Sequence, residues 1–337
     1  MAELKTNYLG LELNNPIVVG ASNLVTDHQT LKKIEEAGAG AIVYKSLFEE
    51  QIQLERVQQD DFKEVYSHRH PEMISIFPDI KHAGPDEFLL NFKNAIREVN
   101  IPVIASLNCV YDVTWTEYAK KLEDAGASAL ELNFYANPRD AETKGKEIVE
   151  QQLAILKKIK QSLSIPVSVK LSPFYTNILA VVTEMDRTGV DGFVLFNRLF
   201  QPDIDIDKEE MVFPWHLSHD GDARLPLRYT GMLAGEIKAD IAANTGILTG
   251  RDAIQMMLAG ADVVQVVTTL YKNGIGQIKS MTSDISQWMD KKGYATINDF
   301  KGKLSRKSIN DPFAYKRAQY VDILMKSEEI FSKYPMR

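Results

Sequence analysis

Short apolar runs and longer amphipathic stretches alternate along the whole chain, and a glycine marks most passages from one to the other. The segment Glu36-Ala37-Gly38-Ala39-Gly40-Ala41-Ile42-Val43 ends a helical stretch at glycine and opens an apolar run. The same pattern returns at 124–130, 187–194 and 258–264. Glycine there closes a helix in the left-handed conformation, and the run after it has strand length and strand residues. A second pattern is interleaved with the first. Asn100-Ile101-Pro102-Val103-Ile104-Ala105-Ser106-Leu107-Asn108 closely resembles Ser164-Ile165-Pro166-Val167-Ser168-Val169-Lys170-Leu171-Ser172, and 238–244 takes the equivalent place later. Proline at a strand start removes only an end donor.

Together the patterns predict strands at 16–22, 41–46, 103–108, 129–134, 167–172, 192–197, 239–244 and 263–268. Helices are predicted near 29–38, 86–98, 114–125, 145–162, 176–188, 226–237, 250–259 and 275–290. Eight βα units with no break in composition predict a parallel sheet closed into a TIM (β/α)8 barrel, an α/β fold. An open doubly wound sheet is the alternative. Residues 8–13 predict a small N-terminal hairpin plugging the barrel floor. The connections 47–85 and 198–225, after the second and sixth strands, are too long for turns. Both start where barrels build their sites, so they are expected to form walls or lids. Their individual His and Asp residues are more simply solvated loop positions.

Composition narrows the class. At about 150 residues per domain, 337 residues would suggest two domains, but one barrel can take the whole length, so 1–337 is expected to be a single domain. A net charge of −7 argues against nucleic-acid binding, which needs a clustered basic surface. The single cysteine, Cys109, excludes a disulfide framework and an iron–sulfur cluster held by this chain alone. The first seven residues lack an apolar signal core, and no apolar run reaches ~18 residues, so a cytoplasmic protein that does not enter a membrane is expected.

The strand ends carry the chemistry. They read Ala21-Ser22-Asn23, Lys45-Ser46, Ser106 with Asn108, Asn133, Lys170 with Ser172, Asn197-Arg198, Asn244-Thr245 and Thr268-Thr269. None ends in a carboxylate or histidine. Glu131, in phase with Asn133, is expected in the interior one layer lower. A metal hydrolase needs converging His, Asp or Glu, and a glycosidase needs two opposed carboxylates. Neither set is available, and no metal is expected. Amides, hydroxyls and two lysines suit a ligand with ring nitrogens, carbonyls and a phosphate, which describes flavin mononucleotide (FMN). Lys45 and Lys170 each end an apolar strand, and lysine is seldom buried unpaired; a side chain snorkelling to solvent is the bland alternative. The turn Asn244-Thr245-Gly246-Ile247 before the helix at 250, with Thr268 and Thr269 after the last strand, matches the usual barrel phosphate site of backbone N–H groups and a helix N-terminus.

These residues resemble the dihydroorotate dehydrogenase family, FMN-dependent barrels of pyrimidine biosynthesis. The likeness runs in order from Leu9 to Lys303. It is carried by Asn15-Pro16-Ile17 through Ser22, Tyr44-Lys45-Ser46, Glu131-Leu132-Asn133, Val169-Lys170-Leu171-Ser172-Pro173, Asn197, Thr245-Gly246-Ile247 and Gln265 through Leu270. The tail 292–302 resembles the soluble class 1 enzymes. The resemblance implies that Ala21 and Ser22 line the flavin, with Ser46 and Asn108 beside it. Lys45 and Asn133 would lie near the flavin and the substrate ring, and Lys170 at the flavin's pyrimidine end. Thr245, Gly246, Thr268 and Thr269 would hold the phosphate, and Asn137 and Asn197 the substrate. It also implies a homodimer, or a partner subunit that takes the electrons, and a small dihydropyrimidine-like substrate.

Three departures stand out. Ala136 occupies the place of the family's Cys or Ser base, and alanine cannot take a proton. No Asn-rich substrate loop is visible in 68–85. Arg198 follows Asn197 where the family prefers Ser. Tyr135 and Cys109 are the candidate replacement bases, though each is also readable as a packed side chain. Two other functions stay open: a Schiff-base lyase using Lys170 or Lys45, and a non-catalytic flavin-binding relative.

Overall fold

The computed structural model describes residues 2–53, 84–108, 112–135 and 141–333. Cys109, Ala136, Asn137 and most of the 47–85 connection lie outside them.

The chain opens with the antiparallel pair β1 (Thr6–Tyr8) and β2 (Leu11–Leu13). Their two-residue turn places Leu9 at φ 57° and Gly10 at φ 71°, the twist that matches a tight hairpin. Next come β3 (Ile17–Val19), β4 (Ala41–Val43), the two-residue β5 (Leu47–Phe48), β6 (Val103–Asn108), β7 (Ala129–Phe134), β8 (Val167–Leu171) and β9 (Gly192–Leu195). A second hairpin, β10 (Asp203–Asp205) with β11 (Glu210–Val212), precedes β12 (Asp240–Asn244) and β13 (Val263–Val266). The strands β3, β4, β6, β7, β8, β9, β12 and β13 pair in parallel in that order. β13 returns to β3, so the ring closes with eight strands and helices outside, a TIM barrel.

Period-2 alternation sorts each strand into two cores. Ile17 and Val19 face the helices, while Val18 faces the barrel axis. Val103, Ala105 and Leu107 likewise face outward, and Ile104 inward. The first hairpin fills the floor with Tyr8, Leu9 and Leu13, all buried. Gly192 is required there: a β-carbon would collide with the Leu9 side chain.

The predicted helices appear, some with shifted ends. Helix Gly145–Ser162 keeps its expected bounds, and the one expected at 226–237 spans Arg224–Leu233. One expectation is corrected. The strand expected to reach 268 ends at Val266, and Thr268 and Thr269 instead open the short helix Thr268–Asn273, because the chain turns at Val267. The 198–225 connection contains the β10–β11 hairpin. The chain also continues past the barrel into helices Arg317–Met325 and Ser327–Lys333. Among the described residues no helix is long and apolar enough to cross a membrane.

Candidate active site

A cavity of about 470 Å³ opens at the C-terminal ends of the barrel strands. Residues at or just beyond the strand ends line it. Ala21 and Ser22 follow β3; Lys45 and Ser46 follow β4; Asn108 ends β6; Asn133 sits near the end of β7, just before Tyr135; Lys170 comes from β8; and Asn197 follows β9. Thr245 and Gly246 follow β12, and Thr268 follows β13. The two candidate residues outside the described regions, Cys109 and Asn137, have no structural placement.

The deepest polar group is a three-residue network. The Lys170 ammonium donates to Gln265 Oε1 at 3.2 Å and lies 3.5 Å from Glu131 Oε1. Gln265 Nε2 donates to Glu131 Oε2 at 2.6 Å. The lysine side chain is 7% exposed and the glutamate 1%. Charges this deep persist only when paired and hydrogen-bonded, and the Gln265 amide ties the pair together from both sides. Glu131 lies one layer below the strand ends, as its phase with Asn133 predicts.

The remaining wall is less saturated. Asn197 Nδ2 donates to Asn133 Oδ1 at 3.0 Å. The Ser46 and Ser106 hydroxyls lie 2.7 Å apart. The Ser22 hydroxyl is buried on the cavity wall with no hydrogen-bond partner among the described residues. A buried hydroxyl left unpaired costs about 1–3 kcal/mol, so it is a position a ligand would satisfy.

The turn after β12 has the geometry for close backbone approach. Thr245 is at φ 80° and Gly246 at φ 76°. A β-carbon on Gly246 would run into the backbone of Asp222 and Ala223. Asn244 Nδ2 and Thr245 Oγ1 both donate to the Phe196 carbonyl, at 2.8 and 2.9 Å, and hold the turn against β9. The neighbouring helix is capped at its start. Thr249 and Asp252 form a capping box, and Asp252 accepts from the Leu248 and Thr249 amides at 3.0 and 2.8 Å. Thr268 lines the cavity and accepts from Ser218 N at 3.2 Å. Thr269 does not line it; its buried hydroxyl donates to the Leu248 carbonyl at 2.7 Å.

Arg198 shapes the remaining wall. Its guanidinium donates to the His216 and Leu217 carbonyls at 2.6 and 3.3 Å and pairs with Asp222 at 2.6 Å. It thereby pins the segment whose Trp215, His216, Leu217 and Ser218 face the cavity. Phe48, Phe200 and Tyr271 add aromatic surface. Sequence reasoning assigned no role to Gln265 or to this aromatic wall. Gln265 was recoverable from its strand, as the lone amide in Val263-Val264-Gln265-Val266 and in phase with inward Val263. The aromatics come from a two-residue strand, a short helix and irregular loops, segments too short to carry a periodic signal.

A closed barrel with a lysine-bearing polar cavity at its C-terminal face defines a barrel enzyme for a small, polar, ring-shaped ligand. The comparisons make this specific. The family model for dihydroorotate dehydrogenase matches residues 3–289, and the chain belongs to that family. It is 26% identical over 313 residues to the catalytic subunit of dihydroorotate dehydrogenase B (NAD(+)) of Thermoplasma volcanium, covering 90% of this chain and 98% of that protein. The corresponding subunit of Methanocaldococcus jannaschii is 26% identical over 314 residues, covering 89% and 97%. The chloroplastic dihydropyrimidine dehydrogenase (NADP(+)) of Arabidopsis thaliana is 24% identical over 340 residues, covering 89% and 76%. The chain is thus an oxidoreductase of the dihydroorotate dehydrogenase type.

Proposed function

We propose that the protein is an FMN-dependent dehydrogenase acting on the CH–CH bond beside a carbonyl in a dihydropyrimidine-like ring. The observation that carries this reading is the buried Lys170–Gln265–Glu131 network beneath a cavity ringed by amides and hydroxyls. FMN, when bound, supplies the two-electron redox chemistry that these side chains lack.

The residues present fit that group. Lys170 offers a fixed cation where an electron-rich ring would need one. Ser22 offers an unpaired hydroxyl on the wall. The left-handed Thr245–Gly246 turn and the Thr268 hydroxyl suit a phosphate. Ala21, Ser46 and Asn108 complete the cofactor side. Asn133 and Asn197, already bonded to each other, keep one amide NH2 and one carbonyl oxygen to orient a substrate ring, with Lys45 beside them.

The base remains the unusual feature. With Ala136 in its place, Tyr135 is the candidate on the cavity wall; as a phenolate it would take the proton from the substrate carbon and become the neutral phenol. The Schiff-base reading loses support at Lys170, because its nitrogen is engaged by Glu131 and Gln265. The electrons would leave to a soluble acceptor or a partner subunit.

The test is an absorbance spectrum of the purified protein, followed by anaerobic dihydroorotate. A flavin spectrum that bleaches supports both cofactor and substrate. One that persists keeps the cofactor and moves the substrate elsewhere or makes the chain a binding protein. A colourless protein that FMN does not reconstitute overturns the reading. Tyr135→Phe is expected to slow bleaching about 10²–10⁴-fold with FMN retained; an unchanged rate removes Tyr135 as the base.

A further inference from the structure

Two buried charges of opposite sign lie at the base of the cavity. Lys170 reaches the cavity wall, while Glu131 does not and stands behind it in the barrel interior. Gln265, which also lines the cavity, bridges the two. Among the described residues Lys170 is the one lysine or arginine that is buried. Its counter-charge is held at a distance. The ammonium stands 3.5 Å from Glu131 Oε1, which accepts no hydrogen bond among the described residues. The other oxygen, Oε2, accepts from Gln265 Nε2 at 2.6 Å. From the floor hairpin the buried Tyr8 hydroxyl faces the same carboxylate. Burial, and then the Glu131 charge, hold that phenol well above the ordinary 10.0. Tyr8 therefore stays neutral, and Lys170 is the cation that Glu131 answers.

A buried pair repays its desolvation only where the geometry is good. One joined through a shared amide, with no direct hydrogen bond, is a poor brace for the fold. It suits another task. A cation at the wall with a carboxylate behind it presents the cavity with a partly cancelled charge. A neutral ligand ring gains little from it. A ring that turns anionic gains from Lys170 and loses to Glu131.

We propose that Glu131 is a positioning residue that sets the reduction potential of the bound flavin, acting through Lys170 and Gln265. The inference rests on the FMN reading above. Two electrons and one proton leave the CH–CH bond of the substrate for the flavin, and the second proton goes to the base. The neutral flavin ring thereby becomes an anion. Lys170 favours that anion. The Glu131 carboxylate opposes it and keeps the reduced flavin able to pass its electrons on.

The test is the midpoint potential of the FMN-loaded chain, read by equilibration with a dye of known potential, in the wild type, Glu131→Gln and Glu131→Asp. Glu131→Gln removes the charge with little change of shape. It is expected to shift the equilibrium at least about tenfold toward reduced flavin, a rise of about 30 mV for a two-electron couple. Glu131→Asp keeps the charge one methylene further from Lys170, so its potential should rise by less. Affinity for oxidised FMN, from fluorescence titration, should stay within about threefold of the wild type, because the gain falls on the reduced form. A brace for the fold predicts the reverse: lost stability, weaker FMN in both redox states and an unmoved potential. Should Glu131→Gln fail to fold, Glu131→Asp carries the test through the direction of its shift. FMN bound at an unmoved or lowered potential in either folded variant overturns this inference alone. A chain that takes up no FMN overturns it together with the cofactor reading.

Discussion

The floor of the barrel and its mouth are built from the same residue types with opposite bookkeeping. At the floor, several polar side chains end on backbone groups. Asn15 accepts from Ile17 N and donates to the Gly38 carbonyl. Asp240 accepts from Leu9 N at 2.7 Å, and Asp262 from Ile241 N at 2.7 Å while pairing with Lys301. At the mouth, side chains that end on backbone, as Asn244 and Thr245 do on the Phe196 carbonyl, stand beside others that bond to each other, as Asn197 does to Asn133, or to nothing among the described residues, as with Ser22. Side chains that close backbone bonds hold the fold; side chains that close only on one another can be recruited by a ligand. The two ends of one barrel are thereby divided between stability and chemistry.

Removing Lys170 would break this comparison most severely, since the network belongs to both ends. Lys170→Ala leaves the Glu131 carboxylate buried without its cation, and is expected to cost about 3–5 kcal/mol in urea unfolding as well as bound FMN. Glu131→Gln added to it should restore most of the stability but not the cofactor, separating the two roles. A floor variant should do the reverse. Gly192→Ala pushes a β-carbon into the Leu9 side chain and is expected to cost about 1–3 kcal/mol, with turnover of the surviving folded protein unchanged.

Asp240 sharpens the same contrast through pH. Burial, aided by the Asp262 carboxylate, pushes its carboxyl from the ordinary 3.8 up to about 6. The native state then holds a proton that the unfolded state has released. Its contribution to stability therefore falls as pH rises from about 4 through 6. Asp240→Asn, whose amide oxygen can still accept from Leu9 N, should match the wild type near pH 4. After allowance for partial exposure it should be about 1–2 kcal/mol more stable at pH 8. A wild type whose stability is flat over this range would remove the effect. The smallest effect separates two adjacent hydroxyls. Thr269→Val should cost about 1 kcal/mol of stability and leave the FMN dissociation constant unchanged. Thr268→Val should weaken FMN binding about fivefold at ~1 kcal/mol. Both are read by unfolding and by flavin fluorescence titration.

The barrel was legible because its signals are local. A helix-closing glycine, a proline at a strand start and a four-residue apolar run each act within a few residues. Eight βα units punctuated by them leave little room for another fold. Strand ends translate directly into cavity positions, so Ser22, Lys45, Asn133, Lys170, Asn197 and Thr245 could be placed at the mouth before any coordinates. Thr269 could not be told from Thr268. Both follow the last strand, and the turn at Val267 decides which hydroxyl faces the cavity.

By itself the sequence determined the repeat, the number of strands and the ring of amides, hydroxyls and lysines at one end, because each follows from the two-residue and 3.6-residue periods and their punctuation. Tertiary structure alone decided how residues far apart close on each other. Gln265 reaches Glu131 across 134 positions, and Arg198 pins a wall that no strand supports. The hairpin and C-terminal helix emerge with apolar faces uncovered. Such contacts depend on how the closed ring staggers its strands and routes its loops, and local periodicity carries no information about either.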